Sequence, residues 1–208
     1  MRKIKDEIVA AKDSPLYNYR VKNKYFPVIG EGSHNAKIMF IGEAPGRNEA
    51  ETGHPFCGAS GKVLDELLTS IGVNRKDVYV TNVVKDRPPE NRDPNPNEID
   101  FYAPFLDRQI EIIKPAVIAT LGRFSMAYIM KKFGLESELK SISQIHGKIF
   151  TAPAPWHGEA KRSPAPLHNS GSGAWVKIIP LYHPAVAIYG TNKEILKKDF
   201  AVLKKFAN

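Results

Sequence analysis

The chain has 208 residues, of which 42% are hydrophobic and 10% aromatic, enough for the core of one domain but too few for two large ones. Thirty Lys and Arg against 22 Asp and Glu leave a net charge of +8, which is compatible with a polyanionic partner and equally with an ordinary solvated surface. The single cysteine, Cys57, excludes both an internal disulfide and a four-cysteine metal site.

Short apolar runs alternate with helical patterns along the chain. Four runs rich in Val and Ile predict buried strands: Lys37–Ile41, Val78–Val84, Ala116–Leu121 and Val176–Leu181. Apolar residues at helical spacing predict four helices: Gly61–Ile71, Asn97–Ile113, Phe124–Phe133 and Lys193–Phe206. This alternation predicts one three-layer α/β/α domain over residues 1–208, with a central, mainly parallel four-stranded sheet.

Two segments fall outside the alternation. Residues 7–35 have a mixed pattern, and we expect them to wrap the core irregularly. Residues 151–175 are rich in proline and glycine, which predicts a long loop.

Polar and glycine-rich residues follow three of the predicted strands. Gly42–Gly46 comes after the first strand, Asn82 lies late in the second, and His183 comes after the fourth. Ligands of open α/β sheets bind beyond the carboxyl ends of the strands, so we expect these residues to converge on one site. The nearby stretch Gly58–Lys62 does not match a phosphate-binding P-loop, which disfavours a nucleoside-triphosphate enzyme.

Several motifs in order give the chain a specific resemblance. They are Gly42-Glu43-Ala44-Pro45-Gly46, Pro55-Phe56, Thr81-Asn82-Val83-Val84-Lys85, Arg87-Pro88-Pro89 and Tyr182-His183-Pro184-Ala185. Together they resemble the family-4 enzymes of the uracil-DNA glycosylase superfamily. The resemblance implies a DNA-repair enzyme that flips uracil out of DNA and hydrolyses its N-glycosidic bond, leaving an abasic site.

The resemblance also implies a role for each matching residue. Glu43 and His183 would be catalytic, Glu43 where the attacking water is held and His183 as a donor to uracil O2. The uracil itself would contact Gly42 and Ala44, stack on Phe56, and be read by the amide of Asn82. DNA contacts would come from Gly46, Lys85, Arg87, Pro184, Ala185, Val186 and Ile188, with Val186 or Ile188 as a wedge into the vacated stack.

Each of these residues also has an ordinary structural interpretation. His183 before a proline could be a turn residue, and Asn82 could simply bond neighbouring backbone. Phe56 could belong to the core, and Glu43 could pair with a surface lysine. A solvated basic face explains Lys85 and Arg87 almost as well as contact with phosphate, as it does Arg92, Arg123 and Lys148. The remaining histidines show no metal-ligand spacing, and we expect no metal site.

The chain departs from the family at four cysteines that hold an iron–sulfur cluster. The matching positions carry Ala11, Ser14, Asp86 and Tyr102, so thiolates cannot bind a cluster here. We expect a colourless protein without iron or any other cofactor. We also expect packing to replace the cluster, through Tyr17, Tyr19 and Tyr102 and an ion pair from Asp86.

Three functions stay open at this point. The first is a monofunctional uracil-DNA glycosylase. The second is a relative with another base preference, such as hypoxanthine, and the third is a catalytically weak DNA-binding protein. Because no apolar run approaches the roughly 20 residues that span a bilayer, we expect a soluble cytoplasmic protein, a monomer associated with nucleoid DNA.

Overall fold

The computed structural model describes residues 1–157, 175–188 and 193–207. Its helices are α1 (Arg2–Ala10), α2 (Tyr17–Lys22), α3 (Arg47–Thr52), α4 (Ala59–Ser70), α5 (Pro96–Ile113), α6 (Arg123–Lys132), α7 (Ile142–Ile145) and α8 (Lys193–Ala201). The strands are β1 (Glu31–Gly32), β2 (Ile38–Gly42), β3 (Tyr79–Asn82), β4 (Val117–Leu121), β5 (Phe150–Pro153) and β6 (Trp175–Leu181). Among the described helices, none is long and apolar enough to cross a membrane.

The described strands form one sheet in the order β1-β3-β2-β4-β6-β5. The four central strands are the predicted ones, and each pairs with its neighbour in parallel. The predicted α/β/α class and parallel core are therefore confirmed. The sheet is wider than predicted, because β1 and β5 add antiparallel edges to β3 and β6.

Alternate residues of each central strand face opposite layers. In β2, Met39 and Ile41 pack against helices α5 and α6, whereas Ile38 and Phe40 pack against α4 and α8. Phe40 stacks on Phe200 of α8 with ring centroids 5.8 Å apart. Burial on both faces explains why these strands read as continuous apolar runs in the sequence.

Both segments outside the alternation contain regular structure. Residues 7–35 were predicted to be irregular, but they include the end of α1, all of α2 and β1. Part of the predicted loop 151–175 is also strand, since β5 continues to Pro153. Of the rest, Pro155–His157 form a 3-10 turn and Trp175 begins β6, whereas residues 158–174 lie outside the described residues.

A buried polar network joins the N-terminal segment to the loop after β3. Arg20 on α2 forms an ion pair with Asp86 at 3.0 Å and donates to the carbonyls of Ile8 and Val9. The Tyr102 hydroxyl donates to Asp86 at 2.5 Å and lies 2.6 Å from the Ser14 hydroxyl. Three separate segments are thereby tied at one point.

This network occupies three of the four positions at which the family carries cluster cysteines. The expected ion pair of Asp86 and the expected role of Tyr102 are confirmed. Tyr17 takes part through its ring, which lies 5.2 Å from the Arg20 guanidinium. Tyr19 instead packs edge-on against Tyr25, and Arg20 was not foreseen.

Replacing Asp86 with alanine should strongly destabilise the fold. The change leaves the Arg20 guanidinium buried without its counter-charge, which costs about 3–5 kcal/mol in comparable cases. Tyr102→Phe keeps the ion pair and should cost less, about 1.5 kcal/mol. Chemical denaturation measures both, and an Asp86→Ala loss no larger than that of Tyr102→Phe would contradict this account.

Candidate active site

The carboxyl ends of the central strands surround a cavity of about 350 Å³. Its lining combines the turn after β2, the last residue of β3 and the segment after β6, with the loop before α5 closing one side. The lining residues are Glu43, Ala44, Pro45, Gly46, Glu49, Phe56, Ser60, Asn82, Pro88, Asn91, Arg92, His183 and Ala185. The predicted convergence of distant segments is therefore present.

The parallel register of β2 and β3 sets the floor of this cavity. Gly42 is the register partner of Asn82, and the Val83 amide continues the pairing by donating to the Gly42 carbonyl at 3.0 Å. A Cβ on residue 42 would overlap the Asn82 Oδ1 and lie 2.7 Å from the Phe56 Cζ. Only glycine leaves room for both side chains at this point.

Phe56 forms one wall, and its position depends on an unusual backbone. Its φ is +50°, in the left-handed region, which directs the ring against Gly42 and towards His183. The Phe56 and His183 rings lie 5.7 Å apart at 31°. A Cβ on Gly61 would overlap the Phe56 carbonyl, so a glycine in the first turn of α4 allows this backbone conformation.

The His183 imidazole is held in one tautomer. Its Nδ1 accepts a hydrogen bond from the Ala185 amide at 3.2 Å, which leaves the proton on Nε2. Burial lowers the pKa of His183 to about 4, with a smaller opposing effect from Glu49. At neutral pH the side chain is therefore an uncharged donor through Nε2.

Glu43 has the opposite shift. Burial, with repulsion from Asp93, raises its pKa to about 7, and Arg123 opposes the change. The carboxyl is thus poised to exchange a proton near neutral pH. Two titratable groups driven apart by their surroundings are typical of acid–base chemistry in enzymes.

Six lining residues lie outside the predicted site set: Pro45, Glu49, Ser60, Pro88, Asn91 and Arg92, of which Arg92 was considered as a phosphate contact. Glu49 Oε1 accepts a hydrogen bond from the Gly58 amide at 3.2 Å. Arg92 pairs with Glu98 at 2.6 Å, and Asn91 receives a hydrogen bond from Arg87. The signal available for Glu49 was its place in α3, directly after the Gly46 turn.

Lys85 was predicted to contact DNA, and this is wrong. The side chain is 0% exposed, and its Nζ bonds three acceptors inside the protein. Arg87 is half-buried, with its guanidinium hydrogen-bonded to Tyr25 and Asn91. Of the two predicted wedge residues, Val186 packs against the apolar cluster of α4 and α8, while Ile188 is 39% exposed.

Comparison with known proteins decides the family. The sequence model of the uracil DNA glycosylase superfamily matches residues 29–207, which is most of the chain. This protein belongs to the uracil-DNA glycosylase superfamily.

Curated relatives are similar over nearly the whole chain. A type-4 uracil-DNA glycosylase of Sulfurisphaera tokodaii is 41% identical over 100% of this chain and 84% of its own length. Those of Saccharolobus solfataricus and Archaeoglobus fulgidus are each 42% identical, over 97% and 93% of this chain and 84% and 86% of their own lengths. The resemblance to family 4 is therefore confirmed.

The iron–sulfur cluster implied by family 4 does not fit this member. The hydroxyls and carboxylate of Ser14, Tyr102 and Asp86 already bond one another and Arg20, and none is a thiolate. Among the described residues, no group of three or more His, Cys, Asp or Glu is arranged to hold a metal ion.

The state of His183 can be tested directly by NMR. Nitrogen chemical shifts should identify the Nε2–H tautomer at neutral pH, and the ring should stay uncharged until the pH falls towards 4. Burial opposes the imidazolium, so the titration midpoint lies far below that of an exposed histidine. A midpoint near 6.5, or an Nδ1–H tautomer, would contradict the geometry.

Proposed function

We propose that this protein is a monofunctional uracil-DNA glycosylase, which extrudes uracil from DNA and hydrolyses its N-glycosidic bond to leave an abasic site. The observation that carries the proposal is the meeting of Phe56, Asn82 and His183 around one cavity of about 350 Å³, with Gly42 close against Phe56 and Asn82. The names of the curated relatives support the same activity.

The extruded uracil lies against Gly42 and Ala44 and stacks on the Phe56 ring. The Asn82 amide then faces the base edge, where it donates to O4 and accepts from N3–H. Discrimination follows because a base with the wrong edge leaves these buried polar groups unpaired. Asn82 Oδ1 lies against the position that a Cβ on Gly42 would occupy, which supports this placement.

His183 and Glu43 act on opposite ends of the bond that breaks. Negative charge builds on the departing base, and the neutral Nε2–H of His183 stabilises it by donating to O2. Positive charge builds on the sugar, where the Glu43 carboxylate stabilises the cation and holds the attacking water. Water adds to the sugar carbon as the bond to the base nitrogen breaks; one of its protons stays on the new sugar hydroxyl, and the other passes to Glu43 and then to the departing base.

The DNA backbone approaches the same edge of the sheet. We assign contacts to Gly46 and Ala185, which line the cavity, and to Arg87 in the loop after β3; Pro184, which was also predicted to contact DNA, is buried. Ile188 serves as the wedge, since it is the more exposed of the two candidates. In this function, residues 1–208 act as one monomeric domain on nucleoid DNA in the cytoplasm, without a cofactor.

Oligonucleotides with one U, one hypoxanthine or only normal bases test this proposal. After alkaline treatment, strand scission should occur with U alone. His183→Ala should slow it by about 10²–10³, as expected for loss of one donor to a developing anion. Asn82→Ala should also slow it, and Lys76→Ala, a change on the 3-10 turn before β3, provides an exposed control.

Other outcomes point to the alternatives. Scission with hypoxanthine and not with U would indicate another base preference. No scission with either substrate would favour a DNA-binding protein without this activity, and full activity of Asn82→Ala would contradict the site assignment.

The rate should depend on pH through Glu43. A carboxyl with its pKa raised to about 7 is mostly protonated at pH 6 and mostly ionised at pH 8. Because the carboxylate is the active form, kcat/KM should rise about tenfold per pH unit well below 7 and level off above it. Asp93→Asn removes a repelling charge and should move the midpoint to lower pH; an unchanged midpoint would contradict the assignment.

A further inference from the structure

Lys85 is a completely buried lysine one layer behind the cavity. Its Nζ lies 2.6 Å from the Asn82 carbonyl oxygen, 2.8 Å from Thr81 Oγ1 and 2.6 Å from Gln109 Oε1. Nothing in the proposed reaction uses this amine. A lysine is seldom buried without a partner, because removing its charge from water costs several kcal/mol.

The neighbouring hydrogen bonds show what Lys85 supplies. The Thr81 hydroxyl donates its hydrogen to the Ile29 carbonyl at 2.6 Å, so its oxygen accepts from Lys85. The Gln109 amide donates through Nε2 to the same Ile29 carbonyl, so Oε1 is also an acceptor. With the Asn82 carbonyl there are three acceptors, which match the three hydrogens of a lysine ammonium.

Burial acts against this charge. It lowers the pKa of Lys85 well below its ordinary value, while the three acceptors favour the ammonium. The buried ammonium therefore carries a large desolvation free energy, which an apolar side chain at the same position would not. The presence of Lys85 is therefore better explained by a contribution to function than by a contribution to stability.

The contact to Asn82 connects Lys85 to the base-reading residues. The Asn82 carbonyl belongs to the peptide whose amide, that of Val83, donates to the Gly42 carbonyl at 3.0 Å. Lys85 thus hydrogen-bonds the peptide that pairs with Gly42, the register partner of Asn82 at the end of β2. Hydrogen bonds in such a chain polarise and strengthen one another.

We propose that Lys85 is a positioning residue for base recognition: its buried ammonium clamps the Asn82 peptide and so sets the amide that reads uracil. The inference rests on the proposed function, because it takes Asn82 as the base reader. Lys85 itself touches neither the base nor the DNA.

Lys85→Met removes the three donors and keeps most of the volume. Displacement of a recognition group by about 1 Å costs roughly 100-fold in rate, so kcat should fall by about that factor. The affinity for an oligonucleotide with an abasic site should not change, since Lys85 does not reach the surface. Inhibition by free uracil should weaken in parallel with kcat.

A double variant separates positioning from stability. Lys85→Met with Gln109→Leu removes an acceptor that the single change leaves unsatisfied, so stability should partly recover. If Lys85 positions Asn82, kcat and uracil inhibition stay impaired in the double variant. Recovery of kcat together with Tm would overturn the inference, as would unimpaired kcat in Lys85→Met.

Tyr102→Phe is the matched control. It weakens the buried network of Arg20 and Asp86 without touching the Asn82 peptide. Assayed well below its Tm, it should retain wild-type kcat and uracil inhibition. A loss equal to that of Lys85→Met would mean that any destabilisation slows the enzyme, and it would overturn the inference.

A measurement on the unaltered protein covers the case in which Lys85→Met does not fold. With lysine nitrogen labelled, the Lys85 ammonium should show slowly exchanging hydrogens and a coupling through the hydrogen bond to the Asn82 carbonyl carbon. Absence of that coupling would overturn the inference. If the wild-type protein releases no uracil but shows the coupling, the proposed function fails while the clamp on Asn82 stands.

Discussion

The pairing of β2 with β3 is the constraint on which the site depends. Parallel register places Gly42 beside Asn82, and the absence of a side chain at Gly42 leaves space that Asn82 Oδ1 and the Phe56 ring approach from two sides. A shift by one residue would turn Asn82 to the other face of the sheet. The apolar layers on both faces, which bury β2 and β3 completely, hold that register.

Buried polar groups form hydrogen bonds beneath this edge of the sheet. Lys85 and Asp86 are adjacent in sequence and both are buried, but they bond different parts of the protein. Asp86 ties α2 and α5 through Arg20 and Tyr102, at positions where the resemblance to family 4 implies cluster cysteines. Lys85 bonds the Asn82 peptide and Gln109. A hydrogen-bonded network thus cross-links these segments.

The electrostatics of the cavity follow from the same burial. Loss of solvent raises the pKa of Glu43 and lowers that of His183, because in each case it disfavours the charged form. One group can therefore exchange a proton near neutral pH while the other remains an uncharged donor. Charged residues at the mouth adjust this balance, with Asp93 and Arg123 acting on Glu43 in opposite directions.

The sequence by itself determined the class of fold, the four central strands and the convergence of Gly42, Asn82 and His183, because continuous apolar runs and the ends of parallel strands are local patterns. It also indicated the Asp86 ion pair. Strand β1 escaped prediction because two exposed residues carry no pattern, and their pairing is supplied by β3. Only the tertiary structure decided that Lys85 is buried. A lysine is normally exposed, and its burial here depends on acceptors from α5 and β3 that are distant in the sequence.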